Sequence, residues 1–234
     1  MKEKLQPMND PLTRRVLERV RSLFSGIRGG HDLDHTMRVY VNACRIAEAE
    51  LPPEDAASRR VVCLAALLHD CARPEEDRQK GKVCHAALGR SKSAEILREL
   101  GCTDETLIRA VSECVGKHRY RGRDLPSTLP EKIVYDADKL DSVGAAGIAR
   151  AFHFASQVGA RIHNTEAQAL AGKEYGPEDT AYREYLVKLR HVSGRMLTVT
   201  GRNLAERRDR FMKDFFDELN RETEDAFRFA DELK

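Results

Sequence analysis

An apolar run in the first half of the chain ends in two ionisable residues. Val61-Val62-Cys63-Leu64-Ala65-Ala66-Leu67-Leu68 leads directly into His69-Asp70. A stretch so rich in Ala and Leu, without Pro or Gly, reads as a buried helix rather than a strand. A buried charge without a partner is costly, and a divalent cation at the helix end would satisfy both side chains at once. Two further points offer matching donors. His35 continues the inward stripe of another helix, ahead of Val39, Ala43 and Ile46. Asp138 lies on a helix buried by Ile133, Val134, Ala137 and Leu140, with Asp141 on the same face. Asp136, Asp138 and Asp141 crowd together there and would repel without a cation.

Two imidazoles and two carboxylates suit Mn, Fe, Co, Ni, Zn or Mg, and ligand type does not choose among them. Four ligands leave coordination positions for water, whose pKa falls from 15.7 toward about 7 in such a site. Each signal also has a plain structural reading, since a single inward histidine is usually a hydrogen-bonded core residue. Taken together, the three favour a metal centre.

Helices must position these groups. Val16, Val20 and Phe24 mark one amphipathic helix over 12–24, stopped by the glycines at 26, 29 and 30. His31-Asp32-Leu33-Asp34-His35 reads as a loop entering the second helix, which Pro52-Pro53 ends. The polar segment 71–78 after the His-Asp pair reads as a surface loop. Helices are expected over 85–100 and 103–118, the latter with Ile108, Val111, Val115 and His118 on one face. A basic loop follows over 119–123, and Thr128-Leu129-Pro130-Glu131 has the spacing of a capping box. Further helices are expected over 143–158 and 180–199, with 159–178 lacking a period and read as mobile. A last helix carries Leu204, Phe211, Phe215 and Leu219 on one face. No segment reads as a strand. The expected fold is all-α: a loose tail over 1–11, then one compact helical domain over 12–234, with additional C-terminal helices over 180–232.

The totals narrow the function. The 40 basic and 38 acidic residues nearly cancel to a net charge of +2, which argues against a dedicated nucleic-acid binder. No stretch approaches the roughly 20 apolar residues of a membrane span, and no leader-like apolar segment opens the chain, so a cytoplasmic location is the default expectation. Cys44, Cys63, Cys71, Cys84, Cys102 and Cys114 form no CxxC pair. They read as small buried hydrophobes rather than a disulfide framework.

His35 within His31–Val39, then Leu67-Leu68-His69-Asp70, then Asp136-Ala137-Asp138-Lys139-Leu140-Asp141 resemble the H…HD…D signature of the HD-domain superfamily. That superfamily is helical and consists mostly of metal-dependent phosphohydrolases and phosphodiesterases. The resemblance covers residues 20–150 and is nearest to the compact stand-alone HD hydrolases, some of which act on nucleoside triphosphates. It implies that His35, His69, Asp70 and Asp138 are metal ligands, Asp138 being chosen because it stands in Ala137-Asp138-Lys139-Leu140. It also implies a second-ion or substrate role for His85 and His118, with Asp70 bridging. His31, His153, His163 and His191 match nothing in the signature and read as structural or exposed. Arg73 stands where many members carry a lysine soon after the HD pair, and its planar fork can still grip a phosphate. The Gly-Tyr-Pro of cyclic-dinucleotide phosphodiesterases is missing.

The expected enzyme is therefore a metal-dependent phosphohydrolase that cleaves a phosphate ester or anhydride of a nucleotide with activated water. Nucleoside triphosphate pyrophosphohydrolysis is the specific form, with one or two divalent ions as cofactor. Asp70 and Asp141 are the catalytic candidates, Asp136 or Asp141 serving as proton acceptor or as a group orienting the ligands. Arg38, Arg73, Lys139, Arg119 and Arg121 are candidate phosphate contacts. The alternatives are a phosphomonoesterase or phosphodiesterase of the same superfamily, and a non-catalytic HD-like module that binds a ligand or protein. The partner is a small phosphorylated molecule, not a membrane, and a homo-oligomer is compatible with the sequence.

Overall fold

The computed structural model describes residues 10–27, 30–79, 84–119 and 124–232. Among them there is no strand, so the all-α expectation holds. The helices are α1 (Pro11–Leu23), α2 (Leu33–Glu50), α3 (Ala56–Leu68), α4 (Arg73–Arg78), α5 (His85–Glu99), α6 (Glu105–Lys117), α7 (Leu129–Leu140), α8 (Gly144–Gln157), α9 (Glu166–Ala171), α10 (Ala181–Val187) and α11 (Val199–Glu232). The expected loose tail and the basic 119–123 loop, Arg121 included, lie almost wholly outside the described residues.

The chain divides into two compact units. One comprises the described residues to Asp141 together with Leu197–Gly201, and the other comprises Ser142–Met196 with the described residues from Arg202 onward. In the first unit α3 is the central element. Its residues Val61 to Leu68 are all buried, and it packs against α1, α2, α6 and α7. Helix starts are local: Asp10, Asp32, Asp55 and Asp104 each accept a backbone N–H from the first turn that follows. The expected capping box at Thr128 and Glu131 opens α7. In the second unit Phe152, Tyr182, Tyr185, Phe215 and Phe216 form a cluster of ring contacts.

Four expectations are corrected. Segment 71–78 is no surface loop: Cys71 and Ala72 are buried and α4 begins at Arg73, with Pro74 and two glutamates suited to a first turn. Segment 159–178 contains α9, opened by a capping box of Thr165 and Gln168. The helix expected over 180–199 ends at Val187, gives way to two 3₁₀ turns and is extended at Met196. Ser193 and Gly194 are weak helix formers, and the Asp136 carboxylate captures the backbone N–H groups of Leu197 and Thr198. The buried stripe of α11 is rotated by one residue from the expected one, running through Ala205, Met212 and Phe216, while Phe211 is half exposed.

Candidate metal centre

Asp70, buried in the turn after α3, is flanked by two pairs of histidines. Its Oδ2 lies 3.6 Å from Nε2 of both His35 and His69. Its Oδ1 lies 3.4 Å from His85 Nε2 and 3.6 Å from His118 Nε2. Within each pair the Nε2 atoms are 3.2 Å apart. Asp138 Oδ1 stands 3.5 Å from His35 Nε2, completing a group with His35 and His69. All these side chains come from the first unit.

The far nitrogen of each ring is occupied. His69 and His118 cap the C-termini of α3 and α6, and each donates from Nδ1 to the carbonyl three residues back, Ala66 at 2.8 Å and Val115 at 2.7 Å. His35 Nδ1 meets Asp141 Oδ2 at 2.7 Å, and His85 Nδ1 meets Glu76 Oε2 at 2.6 Å. These four partners are acceptors at 2.6–2.8 Å, and the Arg73 donor stands farther from His85 Nδ1 at 3.4 Å, so Nδ1 carries the proton and Nε2 presents a lone pair. Two such lone pairs facing each other repel, and a cation between them turns repulsion into attraction. Nitrogens bound to one ion at about 2.1 Å stand about 3.0 Å apart at octahedral angles and about 3.4 Å apart at tetrahedral ones. The observed 3.2 Å lies between these values. The negative ends of α3 and α6 also converge here, which favours positive charge.

The protonation states agree. Burial pushes His69 down to about 4 and lowers His85 as well. Burial alone would raise Asp70, but His69 and the other imidazoles around it hold the carboxyl well below the usual range. Asp138 is held low against burial by Lys139 and the same imidazoles. These shifts keep His69, His85, Asp70 and Asp138 deprotonated at neutral pH, as metal binding requires.

The HD domain family model matches residues 32–143. The chain is 33% identical over 210 residues to YpgQ of Bacillus subtilis, covering 87% of this chain and 89% of that one. This chain belongs to the HD-domain family. The class expected from the sequence, a metal-dependent phosphohydrolase, is borne out with it. Solved HD relatives share the fold. A predicted HD superfamily hydrolase from an uncultured Thermotogales bacterium is 28% identical, with TM-score 0.61 over 89% of this chain and 91% of that one. Bacillus subtilis YpgQ in complex with ADP is 27% identical, with TM-score 0.65 over 90% and 94%.

In this HD-domain protein the structure brings His35, His69, Asp70, Asp138, His85 and His118 together. Asp141 stands behind His35, with both oxygens engaged: Oδ2 by His35 and Oδ1 by Arg38 Nε at 2.6 Å. Asp136 is turned away and binds Leu197 and Thr198. Lys139 Nζ pairs with Asp138 Oδ2 at 2.6 Å, Arg73 with Glu76 at 3.0 Å, and Arg119 with the Cys84 thiol beside His85. Two residues at the site escaped the sequence reading. His31 is no bystander, for its Nδ1 lies 2.9 Å from Asp70 Oδ2. It precedes the N-cap of α2, so helical periodicity could not place it, and its spacing of four from His35 was the available signal. Glu76 was hidden in the segment read as a surface loop.

No helix among the described residues is long and apolar enough to cross a membrane.

Proposed function

We propose that this HD-domain phosphohydrolase acts on a nucleotide, hydrolysing a phosphate ester or anhydride, and that a nucleoside triphosphate cut to nucleotide and pyrophosphate is the specific reaction. The observation that carries the reading is the pair of opposed imidazole couples on either side of Asp70, 3.2 Å within each couple. His35, His69, Asp70 and Asp138 would hold one divalent ion, and Asp70, His85 and His118 a second. Divalent ions so held polarise a phosphoryl oxygen and make water a competent nucleophile at neutral pH. The ADP bound in the YpgQ structure supports a nucleotide as ligand.

The chain's own groups supply orientation and charge. Asp141 keeps the His35 proton on Nδ1 and is itself fixed by Arg38, so it acts as a positioning residue rather than a proton acceptor. Glu76 does the same for His85, with Arg73 behind it. His31, the histidine of the cluster with the most exposed side chain, steadies the Asp70 oxygen that faces His35 and His69. Arg73 Nη1 lies 3.4 Å from His85 Nδ1, and Arg119 donates to the thiol of Cys84, the residue before that histidine; both would meet substrate phosphate.

The test compares wild type with Asp70→Ala. Elemental analysis reads bound metal, and a nucleotide panel with Mn²⁺, Co²⁺ or Mg²⁺ reads the products. Wild type should retain metal and turn over, and the variant should lose both, with turnover falling by orders of magnitude. Pyrophosphate among the products identifies the triphosphate reaction, and phosphate alone identifies a phosphomonoesterase. A wild type that takes up no metal under any loading condition would sink the reading.

A further inference from the structure

Away from the metal centre, α2 and α3 hold a second pair of reactive side chains. Cys44 Sγ and Cys63 Sγ lie 3.8 Å apart across the packed faces of these helices. Both are free thiols, Cys44 partly exposed and Cys63 buried. A disulfide needs the sulfurs to close to about 2.05 Å, a small approach between side chains already in contact. We propose that Cys44 and Cys63 form a redox modification site, in which a hydroperoxide converts the thiol pair into a reversible disulfide tying α2 to α3.

The pair is asymmetric in the way such chemistry needs. Cys44 is the partly exposed thiol of the pair, and so the one placed to meet an oxidant first. The hydrogen bond with Cys63 lowers its pKa and outweighs burial. Cys63 is pushed up by the same contact and by burial, so it stays protonated as the donor. The thiolate is the nucleophile, and a lowered pKa with access to solvent marks the reactive partner. The Cys44 thiolate attacks the outer peroxide oxygen, the O–O bond breaks, and the alkoxide leaves and takes a proton as alcohol. Cys44 is now a sulfenic acid. Cys63, losing its proton, attacks the Cys44 sulfur and displaces hydroxide, which leaves as water. In sum, two thiols and one hydroperoxide give one disulfide, one alcohol and one water, and a dithiol reductant reverses the change.

The bond would join two of the helices that carry proposed ligands of the first cation. His35 lies nine residues before Cys44 on α2, and His69 six residues after Cys63 at the end of α3. The sequence argued only against a structural disulfide framework; a bond that forms on oxidation is a different claim, and it does not rest on the catalytic reading.

The test uses the full chain loaded with Mg²⁺, which does not change oxidation state. After treatment with hydrogen peroxide, free thiols are alkylated and the digest is mapped by mass spectrometry without reduction. The expected product is a peptide pair joined through Cys44 and Cys63, lighter by two hydrogens and separated again by dithiothreitol. Cys63→Ser should stop at a Cys44 sulfenic acid that dimedone captures, and Cys44→Ser should leave Cys63 unoxidised. Circular dichroism confirms that each variant is folded, and the wild-type map stands without them. The proposal is overturned if both thiols remain alkylatable in the oxidised folded protein, or if the bond forms only in denaturant.

Discussion

At the residue scale, the chemistry depends on which ring nitrogen of each histidine is left open. Two are set locally and two by the tertiary fold. His69 and His118 place their Nδ1 protons on carbonyls of their own helices. His35 and His85 need carboxylates from elsewhere, Asp141 and Glu76. The second kind is vulnerable to a single substitution. Glu76→Ala should lower cation affinity at the His85/His118 side about 10- to 100-fold while leaving the His35/His69 side intact, as loss of a partner behind a ligand commonly does. Glu76→Gln, which keeps a carbonyl acceptor, should lose less. Calorimetric titration with Mn²⁺ reads the two sites, and unchanged affinity at both in Glu76→Ala would show that Glu76 does not position the ring.

At the element scale, α6 and α7 are joined by one buried carboxylate. Glu131 accepts from Ser127 and Thr128 backbone N–H groups at the start of α7, and from Lys117 of α6 at 3.0 Å. Burial alone would raise its pKa, but these donors together hold it below its ordinary 4.5. The sign follows directly. The folded state binds this proton less readily than the unfolded state, so the contribution is present above about pH 4.5 and is lost as pH falls through the lower folded value. Thermal midpoints measured from pH 7 down to pH 3 should therefore fall more steeply for wild type than for Glu131→Gln. The variant should start lower at neutral pH because the Lys117 partner is lost. Parallel curves would remove Glu131 from the linkage.

At the scale of the whole molecule, the centre draws donors from α2, the turn after α3, the start of α5, the end of α6, and α7. A cation bound there would tie together the elements of the first unit and should stabilise them by mass action. At a free metal concentration 100 times Kd the gain is about 2.7 kcal/mol. Calorimetric scans should show a midpoint several degrees higher with Mn²⁺ than with chelator. A midpoint indifferent to both would mean that the cluster binds no ion in the folded protein. The second unit carries its own aromatic cluster, and none of the donors comes from it.

The sequence by itself determined the class of fold and the central helix, and it singled out most of the candidate donors. These rest on local physics: an apolar run long enough for one helix, caps written in Asp and Thr, and charged residues where burial forbids them unless they are paired. The same physics placed His35 and His118 on inward stripes that the structure confirms as buried. Tertiary structure decided what local pattern could not carry. Glu76 and His31 lie outside any helical period that points at the centre, so only the packing of α4 and the approach to α2 bring them in. Asp136, Asp138 and Asp141 look alike in sequence, yet backbone donors at 197–198 take the first, the imidazoles face the second, and His35 with Arg38 engages the third. Their separation is a matter of which partner each carboxylate meets, and those partners lie up to 106 residues away along the chain.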